Sequence, residues 1–224
     1  MNLLAELTTR RVFAILRADG PERTLECIRT LVNAGITALE VSLTTPGAVE
    51  AIERARAELP ASTVIGAGTV RTAAQAEAAA AAGAAFIVTP GLTPGARHSI
   101  ELGVPLICGA LTPTEVITAL DLGASAVKIF PAGSYGPSYL RHVLAPLPDA
   151  PLMAVGGVDT VTAPAYLAAG ARAVGVGSPL LGSAAIGGAQ SGLAQRATAL
   201  LAAIEELRRC GTTAGERAHV EEGR

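Results

Sequence analysis

The sequence has no tryptophan, only three phenylalanines and three tyrosines, and only three cysteines. So few aromatics exclude an aromatic-rich core, and burial has to come from alanine, valine, leucine and isoleucine, in a chain that is 50% hydrophobic. Cys27, Cys108 and Cys210 are widely spaced and odd in number, which argues against a disulfide framework or a zinc site and for a reducing cytoplasm. No apolar run reaches membrane-spanning length, and Met1–Arg11 has no signal-peptide layout. A net charge of −2 gives no reason to expect nucleic acid or an acidic membrane surface as partner. His98, His142 and His219 show no metal-ligand spacing, so no metal is expected, and there is no nucleophile elbow. The sharpest scarcity is lysine. Of 17 basic residues, sixteen are arginine and one is Lys128, set in the apolar stretch "AVKIFPAG".

What is present is alternation. Strand-type runs are predicted near Val12–Arg17, Ile36–Ser42, Thr63–Ala67, Ala84–Thr89, Val104–Cys108, Ala124–Phe130, Pro151–Val155 and Ala171–Gly177. Helical patterns follow them at Pro21–Ala34, Pro46–Leu59, Thr72–Ala82, Pro94–Leu102, Thr114–Leu122, Pro137–Leu147, Val161–Ala169 and Gly192–Arg209. Eight strand–helix units in this length predict an α/β chain folded as a (β/α)8 TIM barrel. A weak repeat supports it: a helix ends in glycine and an apolar strand begins, as in "AAGAAFIV", "ELGVPLIC" and "DLGASAVKIF". An open doubly wound sheet is the alternative, but neither "GAGTVR" nor "GVGSPL" completes its G-x-G-x-x-G signature. One domain is expected over 1–209, with N- and C-terminal helices included. Residues 180–195 read as a Gly/Ala/Ser-rich linker and 210–224 as a polar, flexible tail.

Alternate residues of a strand share a face, so Lys128 lies with Ala126 and Phe130, while Val127 and Ile129 suit the helix side. Lys128 is therefore expected inside the barrel near the C-terminal end of its strand, where barrel chemistry is found. Apolar walls favour the neutral amine of a lysine, and a neutral amine forms imines with ketones, which a guanidinium does not. A structural ion pair, or a lysine snorkelling to solvent, is the alternative. The same alternation turns Glu40, in "ITALEVSL", inward with Ala38 and Ser42. There it can carry protons or merely pair with Lys128. "AVGGVDT" and "VGVGSP" follow the seventh and eighth strands, the loops that often hold phosphate in barrels. Arg17 ends the first strand and can clamp a carboxylate or phosphate. Thr69 and Pro90 sit just past their strands, where they shape a pocket or make turns.

With these residues in place the chain resembles the class I 2-keto-3-deoxy-6-phosphogluconate aldolases and their 2-keto-3-deoxy-6-phosphogalactonate relatives. "AILR", "LEVSL", "IGAGTV", "IVTPG", "AVKIFPA", "AVGGV" and "GVGS" stand in the family's order between about Val12 and Leu181. The resemblance implies a (β/α)8 barrel, usually a homotrimer, that needs no metal or organic cofactor. It implies that Lys128 is the Schiff-base lysine and Glu40 the acid/base. Thr69, Pro90 and Phe130 match pocket positions, and Gly156, Gly157, Gly177 and Ser178 match the phosphate cradle. Thr44 stands where gluconate-type members carry arginine, Arg17 matches an arginine of galactonate-type members, and Val155 replaces a gluconate-type threonine. These departures lean toward the galactonate type or an unassigned branch. The substrate implied is a phosphorylated keto sugar acid, cleaved to pyruvate and glyceraldehyde 3-phosphate. Alternatives are 4-hydroxy-2-oxoglutarate cleavage, an imine-free phosphosugar barrel enzyme, and a phosphosugar-binding protein.

Overall fold

The computed structural model describes residues 2–221, with side chains through Arg209. Eight parallel strands close in chain order into a barrel: β1 (Val12–Leu16), β2 (Ala38–Ser42), β3 (Val64–Gly68), β4 (Ile87–Val88), β5 (Leu106–Ala110), β6 (Ala126–Ile129), β7 (Leu152–Val155) and β8 (Ala173–Val176). β8 pairs back onto β1 through Val12–Val174 and Ala14–Val176. Around them run α1 (Leu3–Arg10), α2 (Pro21–Asn33), α3 (Ala48–Glu58), α4 (Ala73–Ala81), α5 (Pro94–Glu101), α6 (Pro113–Asp121), α7 (Gly136–Leu144), α8 (Ala163–Ala168), α9 (Ser178–Leu181) and α10 (Gln190–Glu221). No helix among the described residues is long and apolar enough to cross a membrane.

Local chemistry sets many of these ends. Thr72 and Thr112 each close a capping box with the residue three positions on, Gln75 and Glu115, which satisfies backbone N–H groups that a helix start leaves open. Proline opens α2, α5 and α6, where its missing N–H costs nothing.

Every expected strand is present, and most are shorter than expected. β4 is only two residues long, yet the Ala84–Thr89 run is tied at both ends. Ala85 N–H donates to Ile65 O at 2.7 Å and Thr89 N–H to Ile107 O at 3.1 Å. The 180–195 stretch is a correction. It holds the end of α9, a 3-10 turn at Gly182–Ile186 and the start of α10. Small residues hid this order, because they leave no apolar periodicity to read. α10 continues past the expected boundary at 209 to Glu221, while the rest of the expected tail, 222–224, lies outside the described residues.

The barrel interior is a separate apolar layer. Phe13, Val64, Phe86, Ile107, Met153 and Ala173 fill its lower half, and Leu3 and Leu7 of α1 close the bottom. Two of the three phenylalanines fit here because glycines face them. A Cβ on Gly66 would come within 2.5 Å of the Phe86 ring, and one on Gly175 within 2.6 Å of Phe13. Burying each phenylalanine contributes about 1.5–3 kcal/mol, so a chain poor in aromatics spends them where they seal the floor of the barrel. The polar residues are thereby left at the other end, where β2 climbs through Ala38, Glu40 and Ser42 and β6 through Ala126 and Lys128.

Candidate active site

A cavity of about 470 Å³ opens at the C-terminal end of the barrel. All ten residues singled out in the sequence line it: Arg17, Glu40, Thr69, Pro90, Lys128, Phe130, Gly156, Gly157, Gly177 and Ser178. Ile15, Val155 and Pro179 complete the wall. Ile15 and Val155 follow from the same alternation that turned Lys128 inward. Pro179 carries no signal beyond its neighbour Ser178.

Glu40 is 1% exposed and Lys128 6% exposed. The two make no direct ion pair, and Glu40 Oε2 has no hydrogen-bond partner. Burial pushes the Glu40 carboxyl above the ordinary range. The charges of Lys128 and Arg17 pull it partly back. A carboxyl so placed exchanges protons closer to neutral pH than a solvated one. Room for it comes from Gly68 on β3, where a Cβ would overlap Glu40 Oε1.

The Lys128 amine stands 5.4 Å from the centroid of the Phe130 ring. Phe130, 45% exposed, lies at the mouth against Gly156, where an added Cβ would meet the ring at 2.8 Å. Gly156 and Gly157 take φ of +88° and +75°, a turn that other L-residues enter only with strain. Gly133 N–H donates to Gly156 O at 2.7 Å, so this turn is braced from below by the β6 loop. Pro90 reaches the cavity because β5 carries Gly109 beside it, and a Cβ there would overlap the Pro90 carbonyl.

Thr69 has φ of +61°, a conformation unusual for a β-branched residue, and its hydroxyl bonds Ser42 Oγ at 2.9 Å. Ser42 Oγ also bonds Thr44 Oγ1 at 2.8 Å, and Arg17 Nε donates to Thr44 Oγ1 at 3.0 Å. Sequence reasoning turned Ser42 inward and flagged Thr44 as a departure, but it missed the bonds that join them. His98 lies elsewhere, bonded to Glu77 and Glu101 on the surface. Among the described residues no group of three or more His, Cys, Asp and Glu is arranged to hold a metal ion.

A buried amine, a buried carboxyl and glycine turns thus share one pocket. The family model described as "Aldolase: KDPG and KHG aldolase" matches residues 3–195. A probable 2-dehydro-3-deoxy-6-phosphogalactonate aldolase of Rhizobium meliloti (strain 1021) is 39% identical over 198 residues, spanning 88% of this chain and 92% of that protein. Among solved structures, a native KDPGal structure superposes with a TM-score of 0.83 at 34% identity, covering 88% of this chain and 96% of that one. A KDPG aldolase from Legionella pneumophila, with pyruvate captured as a covalent carbinolamine intermediate, superposes at 0.76 with 26% identity, covering 91% of this chain and 97% of that one.

Proposed function

Because the chain belongs to the KDPG and KHG aldolase family, we propose that it is a class I aldolase, a carbon–carbon lyase. In this reading it reversibly cleaves a 2-keto-3-deoxy-6-phospho sugar acid to pyruvate and glyceraldehyde 3-phosphate. The observation that carries the reading is the chain's one lysine, buried at the cavity floor beside an unpartnered buried carboxyl.

In the proposed mechanism the unprotonated Lys128 amine attacks the C2 ketone, giving a carbinolamine. Glu40, directly or through one water, protonates the departing hydroxyl, and an iminium forms. The iminium draws electrons from C3, so when Glu40 takes the C4 hydroxyl proton the C3–C4 bond breaks. The aldehyde leaves, C3 of the pyruvate enamine is protonated, and water releases pyruvate and regenerates the amine. Arg17 holds an anionic group of the substrate. Gly156, Gly157, Gly177 and Ser178 cradle the phosphate, while Thr69, Pro90 and Phe130 shape the pocket around the carbon chain. Arg17, Thr44 and Val155 favour the galactonate-type epimer. The reading includes a homotrimer, checked by light scattering for about three times the 22.4 kDa of one chain. It also includes a cytoplasmic location, which the free, buried Cys27 and Cys108 support.

The test uses the single lysine. The protein is incubated with pyruvate, reduced with borohydride and weighed intact and as peptides. One reduced pyruvyl adduct on Lys128, absent from Lys128→Arg, is expected. Its absence from folded protein at saturating pyruvate would sink the imine mechanism.

A further inference from the structure

Arg17 and Thr69 stand on different loops of the cavity wall, after β1 and β3. Two hydroxyls that do not line the cavity connect them. Arg17 Nε donates to Thr44 Oγ1 at 3.0 Å, Thr44 Oγ1 meets Ser42 Oγ at 2.8 Å, and Ser42 Oγ meets Thr69 Oγ1 at 2.9 Å. Ser42 is fully buried between its two partners. The neighbouring threonine braces the loop after β1 against the end of β2: Ala18 N–H donates to Thr45 Oγ1 at 3.4 Å, and Thr45 N–H to Ser42 O at 2.9 Å.

Counting protons gives this bridge a direction. A guanidinium only donates, so Thr44 Oγ1 accepts from Arg17. Three hydroxyls carry three protons, and the two bonds among them use two. The positive charge at the Arg17 end favours the order Thr44 to Ser42 to Thr69, each donating to the next. The proton left over is the one on Thr69, at the cavity wall. Arg17, for its part, makes no ion pair among the described residues, whereas Arg10, Arg23, Arg29 and Arg54 each pair with glutamate. Its one side-chain hydrogen bond uses Nε, so both terminal nitrogens stay free for an anion.

We propose that Thr44 and Ser42 are positioning residues that lock Arg17 and Thr69 into one anion-binding unit, with the guanidinium's terminal nitrogens and the Thr69 hydroxyl all presented as donors. The proposal rests on the reading above that Arg17 holds an anionic group of the substrate. It goes beyond it by assigning a role to two residues outside the cavity wall and a polarity to Thr69.

The experiment is a double-mutant cycle. Steady-state cleavage of 2-keto-3-deoxy-6-phosphogalactonate and of its gluconate epimer is measured for the full chain and for Thr44→Val, Thr44→Ser, Arg17→Ala and Thr44→Val combined with Arg17→Ala. Folding is checked by thermal melting. Thr44→Val keeps the shape and removes the acceptor, so KM is expected to rise about tenfold with kcat within about twofold. Thr44→Ser restores the original KM. Arg17→Ala raises KM at least as far, and Thr44→Val then adds nothing on top of it. A Thr44→Val effect that persists in the Arg17→Ala background, or an unchanged KM in Thr44→Val where Arg17→Ala raises it, overturns the proposal. An unchanged KM in Arg17→Ala instead overturns the assignment of Arg17 itself. If Thr44→Val melts early, Ser42→Ala, which releases Thr69 and leaves the Arg17–Thr44 bond, is cycled against Thr69→Ala: a KM rise in Ser42→Ala that vanishes in the Thr69→Ala background is expected, and one that persists there overturns the proposal.

Discussion

The Glu40 carboxyl lies over the backbone of Gly68 on the neighbouring strand, in space that a single methyl group would fill. Gly68 pairs with Ser42, two residues along from Glu40, so the side chain leans up its own strand and across to β3. The missing side chain at position 68 therefore sets where the Glu40 carboxyl sits. Gly68→Ala is expected to cost about 1–3 kcal/mol of stability through overpacking and to lower kcat about 100-fold by moving Glu40. Borohydride trapping of pyruvate on Lys128 should still proceed at this variant, more slowly. Stopped assays of cleavage beside mass spectrometry of the adduct separate the two effects, and unchanged kcat in a folded variant would contradict the role given to Gly68.

Lys128→Arg preserves charge and removes the amine that the proposed mechanism uses as its nucleophile. Cleavage is expected to fall to background, since a guanidinium stays protonated and forms no imine. The readout is product release in a coupled assay together with the mass of the pyruvate-treated, reduced protein. Substantial turnover by this variant would contradict the Schiff-base mechanism.

Glu40→Gln separates function from stability through pH. Burial raises the Glu40 carboxyl in the folded protein above its ordinary value of 4.5. Between those two values the folded state holds a proton that the unfolded state has lost. This group's contribution to stability therefore falls as pH rises through the window, and it is unchanged below 4.5. Glutamine has the same shape and no such titration. The melting temperature of Glu40→Gln relative to the parent is therefore expected to climb as pH rises above 4.5 and to level off once the folded-state carboxyl has ionised, while cleavage is lost. A difference that stays flat with pH would mean that Glu40 is not held protonated.

The features read correctly in the sequence share one cause. Period-two alternation is a strong signal, and in a closed barrel it sorts residues into helix side and interior with nothing else to learn. Glu40 and Lys128 were assigned to the interior on that basis, and both are buried there. The Gly156–Gly157 pair after β7 was legible because few residues tolerate a turn at positive φ. What stayed hidden depends on contacts between strands. The Arg17–Thr44–Ser42–Thr69 bridge joins three loops, and single-strand periodicity says nothing about which hydroxyl meets which. α9 was missed because its surroundings are small residues, and α1 was not read as the barrel plug because Leu3 and Leu7 look like any amphipathic turn.

Gly156 offers the cleanest separation of backbone strain from site geometry. At φ of +88° an alanine costs about 1–2 kcal/mol, and its Cβ would also press the Phe130 ring at 2.8 Å. Gly103, at φ of +69° and with nothing within 4 Å of an added Cβ, supplies the strain alone, at the end of α5. Both alanine variants are thus expected to lower stability, Gly156→Ala by at least as much as Gly103→Ala, measured by urea unfolding. Only Gly156→Ala should raise KM for the phosphorylated substrate, because it distorts the turn assigned to the phosphate and displaces the ring at the cavity mouth. Pyruvate carries no phosphate and reacts at Lys128, deeper in the barrel, so its trapping by borohydride should change little in either variant. Equal KM values in the two alanine variants would mean that the Gly156–Gly157 turn does not hold the phosphate, and would move that role to Gly177 and Ser178 alone.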